Sequence, residues 1–460
     1  MNRRNNFIAG ILFLFAVMQG CAVGPNFKSP ELEMPVSYHY DLFPPDSVYE
    51  VIGMEWWRSF NDPILNRLIQ QALDSNKNLE VAYSRIRQAR LTAQNAKAQL
   101  YPSFSITAEG GWNWTQRTQT VTQQYSARPS VSWELDIFGK LRRQAEAAQA
   151  EYLSTEYGCA SILLSLVSEV ATTYFTLLQY DMSLHISEIT YATRLEALRM
   201  MDSMFVYGAS SGVDLEQAKT LTQTAAAAIP QYERAIAQTE LSLNILLGKN
   251  PGPIERSGAS LLSVRVPETI PVGLPSDILN RRPDVMQAYY ELEASSAKIG
   301  VAIANRLPSF TITGNGGVLT NVAHGVAEGK PWVWGASAII TEPLLNWGSN
   351  KRAVDIAREE NKQALLAYEQ AVIIALGDVE KMLAAIFTYK TEITAYTKLL
   401  ESAEKTRMMT RALYQNGQSN YLDVLDAERN VFSTNLEYSQ IIQEQLTNYV
   451  NLYKALGGGF

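Results

Sequence analysis

Two runs of 68 residues, Lys140 to Tyr207 and Ser349 to Asn416, contain no proline and one glycine each, Gly158 and Gly377. Proline and glycine are the residues least tolerated inside a helix, so each run reads as a single helix. At about 1.5 Å per residue each would reach roughly 100 Å. Helices of globular proteins average about 11–12 residues, and a compact domain is therefore excluded. The apolar seam agrees: Leu163, Val167, Val170, Tyr174, Leu177 and Leu184 are spaced 4, 3, 4, 3 and 7 apart. Val372, Leu376, Val379, Leu383, Ile386 and Ile393 repeat that spacing in the second run, which is the periodicity of packed coiled helices.

The resemblance between the runs extends along the chain. Tyr101-Pro102-Ser103-Phe104-Ser105-Ile106-Thr107 returns as Leu307-Pro308-Ser309-Phe310-Thr311-Ile312-Thr313, offset by 206. Further on the offset is 209: Phe138-Gly139 matches Trp347-Gly348, Gly208 and Asp214 match Gly417 and Asp423, and Leu247-Gly248 matches Leu456-Gly457. A constant offset over more than 100 residues marks an internal duplication. Each half carries a helix, two strands, a very long helix, a turn and a shorter helix. The halves span 56–248 and 276–457, and the proline-rich segment 249–275 joins them.

The strands alternate strictly. Over 103–114, Phe104, Ile106, Ala108, Gly110, Trp112 and Trp114 share one face, opposite Ser103, Ser105, Thr107, Glu109, Gly111 and Asn113. Over 125–137, Tyr125, Ala127, Pro129, Val131, Trp133, Leu135 and Ile137 share a face opposite Ser126, Arg128, Ser130, Ser132, Glu134 and Asp136. Thr115 to Gln124 between them is polar apart from Val121 and reads as a loop. The second half repeats the pattern over 309–319 and 332–342. Alternation of this length, with aromatic residues at both ends, is the pattern of transmembrane β-strands. Four strands cannot close a barrel, and open edges in lipid leave backbone groups unsatisfied. Two copies give a filled barrel; three copies give twelve strands and a pore.

Composition narrows the function. The formal net charge is −7, with no basic runs and only three scattered histidines, so nucleic acid is not an expected partner. No CxxC or HExxH motif and no carboxylate–histidine cluster occurs, leaving an enzyme without residues to use. The N-terminus carries Arg3 and Arg4, then an apolar stretch from Phe7 to Met18. It is too short to cross a bilayer and reads as a signal peptide over 1–20. Gly20-Cys21 resembles a lipobox, which makes Cys21 the lipid attachment site; Ala22 after it favours the outer membrane. Cys159 is expected to be buried and inert.

Together these residues resemble the TolC-like outer-membrane efflux protein family, in its lipoprotein branch (NodT-type outer-membrane factors of RND pumps). Cys21-Ala22-Val23-Gly24-Pro25-Asn26-Phe27 looks like that branch's mature N-terminus. Trp56-Trp57 with Phe60-Asn61-Asp62-Pro63, Glu134 to Gly139, and Leu279-Asn280-Arg281-Arg282-Pro283-Asp284-Val285 resemble its other recurrent segments. The likeness covers essentially residues 21–457. It implies a homotrimer with a 12-stranded barrel, four strands per chain, above a long antiparallel α-helical periplasmic tunnel. It also implies an equatorial region drawn from residues 22–55, 249–275 and the C-terminal tail. The implied partners are a periplasmic adaptor (membrane fusion) protein, an inner-membrane pump of RND type, and outer-membrane lipid. No cofactor is implied beyond the covalent lipid.

Two turns, Tyr207 to Val213 and Asn416 to Leu422, end the long helices, each with a glycine. Ser211 stands three before Asp214 and Asn420 three before Asp423, as helix caps do. The resemblance makes Gly208, Ala209, Gly417 and Gln418 the adaptor-contact tips. It makes Asp423, Asp426, Tyr414 and Asp214 the periplasmic gate. Asp423 and Asp426 share a helix face, so three copies would stack two rings of carboxylates, which attract cations. Where some members carry an arginine two residues after the tip glycine, this chain has Ser419. The function expected is a passive drug- or toxicant-efflux duct. The exit duct of a type I protein secretion system is the alternative, and a pore-less periplasmic spacer is opposed by the alternating strands.

Overall fold

The computed structural model describes residues 22–40, 55–117, 119–256, 261–264, 266 and 275–459. Cys21 and the signal segment 1–20 lie outside the described residues, as do 41–54 and parts of the 249–275 linker. The first half carries α1 (Pro63–Ser75), α2 (Lys77–Ala98), β1 (Ser103–Thr115), β2 (Thr120–Leu135), α3 (Lys140–Val206) and α4 (Gly212–Leu246). The second carries a helical turn Ile278–Arg281, then α5 (Pro283–Ala304), β3 (Ser309–Thr320), α6 (Ala323–Glu328), β4 (Trp332–Thr341), α7 (Ser349–Gln415) and α8 (Tyr421–Ala455). The duplication holds element by element: α2 and α5 both have 22 residues, α3 and α7 both 67, and α4 and α8 both 35.

One unit of the fold holds the strands, with Ser84–Tyr157, Met286–Ala371 and the N-terminal residues up to Leu32. The strands form one antiparallel sheet in the order β1-β2-β3-β4. Among the described residues β1 and β4 are each paired on one side only. The apolar face lies bare: Phe104 is 81% exposed, Trp112 70%, Trp334 80% and Ile340 66%. The opposite face is polar, with the Ser105 and Ser130 hydroxyls 2.8 Å apart and Arg128 3.6 Å from Glu109. The β2–β3 register is interrupted at Arg128 and Pro129, the latter having no N–H to give the ladder. A side chain at Gly317 would strike the Ala127 carbonyl.

Three boundaries differ from those read in the sequence. β2 begins at Thr120 rather than 125, so residues 120–124 of the expected loop belong to the strand. Its first residues are β-branched and pair across to Thr115, Trp114 and Asn113; polar apart from Val121, the segment shows no alternation to detect. β2 also stops at Leu135 rather than 137, because Asp136 turns to cap α3. Its carboxylate accepts from the Leu141 and Arg142 amides at 2.9 Å each. The β3–β4 connection contains α6, which alternation did not foretell.

The other unit comprises Glu33–Tyr83, Gly158–Val285 and Val372–Phe460. Its core gathers Tyr174, Phe175, Phe60, Leu65 and Ile69, all at most 1% exposed. The Tyr174 hydroxyl donates to Asp62 at 3.0 Å, while the other carboxylate oxygen of Asp62 caps α1. Val167, Val170, Tyr174 and Leu177 line the α3 seam as expected, but beyond Leu178 and Gln179 the next buried positions are Ser183 and Ser187, with Leu184 only half-buried. Ser183 meets Ser439 of α8 at 3.2 Å; small residues let these helices approach more closely than leucine allows. Asp181, the polar break in the heptads, pairs with Arg256 of the linker at 3.1 Å. Cys159 is buried.

Residues 22–32 fall in the strand-bearing unit, whereas 249–256 and the C-terminal Leu456–Gly459 fall in the other. Residues 33–40 fall there too, so the N-terminal segment spans both units while the linker and tail lie in one. The N-terminal segment is captured by the start of α3: Val23 N–H donates to Phe138 O at 3.0 Å. The buried Arg143 donates to Asn26 Oδ1 at 2.7 Å and to Val23 O at 3.2 Å.

Candidate functional site: the helix-turn tips

The two hairpins, α3–α4 and α7–α8, end in the same turn chemistry. Gly208 has φ +73° and Gly417 φ +70°, backbone that glycine adopts without steric cost. The Ala209 amide reaches back to Met204 O at 2.8 Å, and Gln418 to Leu413 O at 2.9 Å. This is the six-to-one bond that satisfies the orphan carbonyls of a helix end. Gly208, Ala209, Gly417 and Gln418 are all exposed.

The restarts differ. At α4 the capping box is complete: Ser211 Oγ accepts from the Asp214 amide at 3.1 Å, and the Asp214 carboxylate accepts from Ser211 N–H at 3.2 Å. At α8, Asn420 Oδ1 accepts from the Asp423 amide at 3.1 Å. The Asp423 carboxylate accepts from Ser419 Oγ at 2.6 Å instead. Ser419, where an arginine would stand in some family members, is thus the partner of Asp423. Asp426 forms an exposed pair with Arg429 at 3.2 Å.

Behind the turns Met201, Leu215, Ala218, Leu221, Tyr421, Val424 and Leu425 form an apolar cluster, with Leu198 and Tyr414 packed on it. The Tyr414 and Tyr421 rings lie 5.3 Å apart. Burial pushes the Tyr421 phenol up to about 12, with Tyr414, Glu428 and Asp214 adding to the rise. Burial also raises Tyr414, with Asp214 second. Both phenols are neutral near pH 7. The structure therefore brings Tyr414 and Asp214 to one cluster on two hairpins, while Asp423 and Asp426 stand on the exposed side of α8. Arg429, Tyr421 and the buried Arg194 belong to this site and were not singled out by sequence. Arg429 was legible as an i+3 partner of Asp426; the other two depend on contacts between hairpins.

Residues 68–249 and 274–458 match the family described as outer membrane efflux protein, one segment in each half. The chain is similar to TtgC of Pseudomonas putida, a probable efflux pump outer membrane protein, at 34% identity over 96% of this chain and 94% of TtgC. It is similar to CusC of Escherichia coli, a cation efflux system protein, at 30% identity over 96% of this chain and 97% of CusC. Among solved structures it resembles the open state of the Neisseria gonorrhoeae outer membrane channel MtrE. That likeness has a TM-score of 0.86 at 28% identity and covers 95% of this chain and 98% of MtrE.

Proposed function

This chain belongs to the outer membrane efflux protein family, and on that premise we propose that it is the passive exit duct of a tripartite efflux pump. Three copies close a 12-stranded barrel, and the long helices continue it as a gated tunnel into the periplasm. The observation that carries this reading is the sheet: an apolar face left bare, a polar face opposite, and two unpaired edges on a body of 67-residue helices. In lipid those edges are satisfied only by neighbouring strands, and a polar inner face lines a water-filled lumen.

The duct performs no chemistry; an inner-membrane pump of RND type and a periplasmic adaptor supply energy and substrate. The exposed turns at Gly208 and Gly417 offer the adaptor its contact. Asp423, Asp426, Asp214 and Tyr414 govern the aperture. Lipidation of Cys21 anchors the chain in the outer membrane. Support for the anchor comes from Ala22, whose atoms lie against Gly139 where β2 gives way to α3, so the residue after Cys21 sits at the helix-side end of the strands.

Cargo is toxic small molecules, in keeping with relatives named for efflux rather than for protein secretion. Cells lacking the protein should retain a fluorescent efflux dye, and restoring the chain should reverse this. Unchanged dye retention, with an exported protein missing from the medium, would favour the secretion duct.

A further inference from the structure

We infer that Arg194 is the latch that holds the two hairpins of each chain together behind the tips and that, granted the gated-duct reading, releasing it opens the pore. Arg194 stands on α3, roughly 18 Å from the helix end at about 1.5 Å per residue. Its Nη1 donates to Leu221 O of α4 at 2.8 Å, and its Nη2 donates to Glu428 O of α8 at 3.1 Å. One guanidinium thus grips both the other helix of its own hairpin and the facing hairpin. The residue is 4% exposed, and the guanidinium lies 4.9 Å from the centre of the Phe432 ring.

This is a costly group to bury. Burial pulls its pKa below the ordinary value, opposed first by Glu428, yet a guanidinium remains charged in proteins. Its Nε finds no acceptor. A buried cation held by main-chain carbonyls is stable only while both carbonyls stay in reach. Parting the hairpins removes the Glu428 carbonyl and leaves the guanidinium on the Leu221 carbonyl alone, so the arrangement resists small displacements.

The duplication isolates the device. The repeat partner of Arg194 is Ala403, so α7 has no matching grip and the link runs one way, from α3 to α8. Ser419 occupies the tip position where an arginine could have tied the hairpins, and it serves Asp423 instead. Next to Arg194 a cleft of ≈ 80 Å³, lined by Met201, Met204, Tyr414 and Leu425 among others, leaves room for the hairpins to shift.

The test is conductance of the full-length protein in planar bilayers, with trimer integrity checked by mass in detergent. Arg194→Met keeps the stem and removes the donors; Arg194→Lys keeps the charge but cannot span both carbonyls. Arg194→Met should raise the open probability roughly tenfold or more, as expected for losing two charge-assisted bonds, with Arg194→Lys intermediate. An assembled Arg194→Met trimer that conducts like wild type overturns the latch. Where Arg194→Met does not assemble, Arg194→Lys decides by the same criterion. Wild-type protein and every variant forming no channels at all would instead refute the duct reading.

Discussion

Replacing Asp423 and Asp426 together by alanine changes the tip more than a count of carboxylates suggests, because Arg429 stays behind. Asp214, Asp423, Asp426 and Arg429 sum to −2 per chain, and the double variant leaves 0. In three copies around one aperture, −6 becomes 0. Cation preference should therefore disappear, whereas Asp426→Ala alone should weaken it and Arg429→Ala should strengthen it. The stability cost is small. An acid in the first turn contributes roughly 0.3–1 kcal/mol through the helix dipole, and an exposed pair such as Asp426–Arg429 about 0–1 kcal/mol. The Asn420 cap at 3.1 Å is untouched, so the trimer should survive. Reversal potentials under a salt gradient in planar bilayers read the outcome directly. An intact double-variant trimer with wild-type ion preference would refute the aperture reasoning and leave Asp423 a helix-end acid.

Other consequences are equally open to test. Cys21→Ser should abolish incorporation of labelled palmitate, and intact mass spectrometry of the mature wild-type protein should show the lipid. Arg143→Met removes the donors to Val23, Gly24 and Asn26, so the Val23 amide, now bonded to Phe138 O, should exchange hydrogen faster while the strands keep their protection. The raised Tyr421 phenol favours the folded state below its unfolded value of about 10, and this contribution is lost as pH rises through about 12. Tip loosening should therefore set in between those values, and Tyr421→Phe should flatten it while leaving behaviour near pH 7 unchanged.

What was legible in the sequence was written in short-range periodicity. The heptads of α3 up to Leu177 and the alternation in the strands each depend on residues a few positions apart and survive in the fold, as does the duplication at its constant offset of 206–209. What was not legible depends on partners far along the chain. Ser183 and Ser187 look like solvent-facing residues until α8 brings Ser439 against them. Asp181 looks like a break in a seam until Arg256 arrives from the linker. Arg194 looks like a surface arginine, since nothing local marks it as the group that two other helices enclose. The start of β2 escaped for another reason: in Thr120-Val121-Thr122-Gln123-Gln124 only Val121 is apolar, so no alternation marks the strand although it pairs with β1.

The central claim is that separate chains close the open sheet into a pore. The most direct measurement is the mass of purified full-length protein in detergent, paired with single-channel recording of the same sample. The account predicts one species of three chains that inserts as a channel. A monodisperse single chain that keeps its full strand content and forms no channel would contradict it.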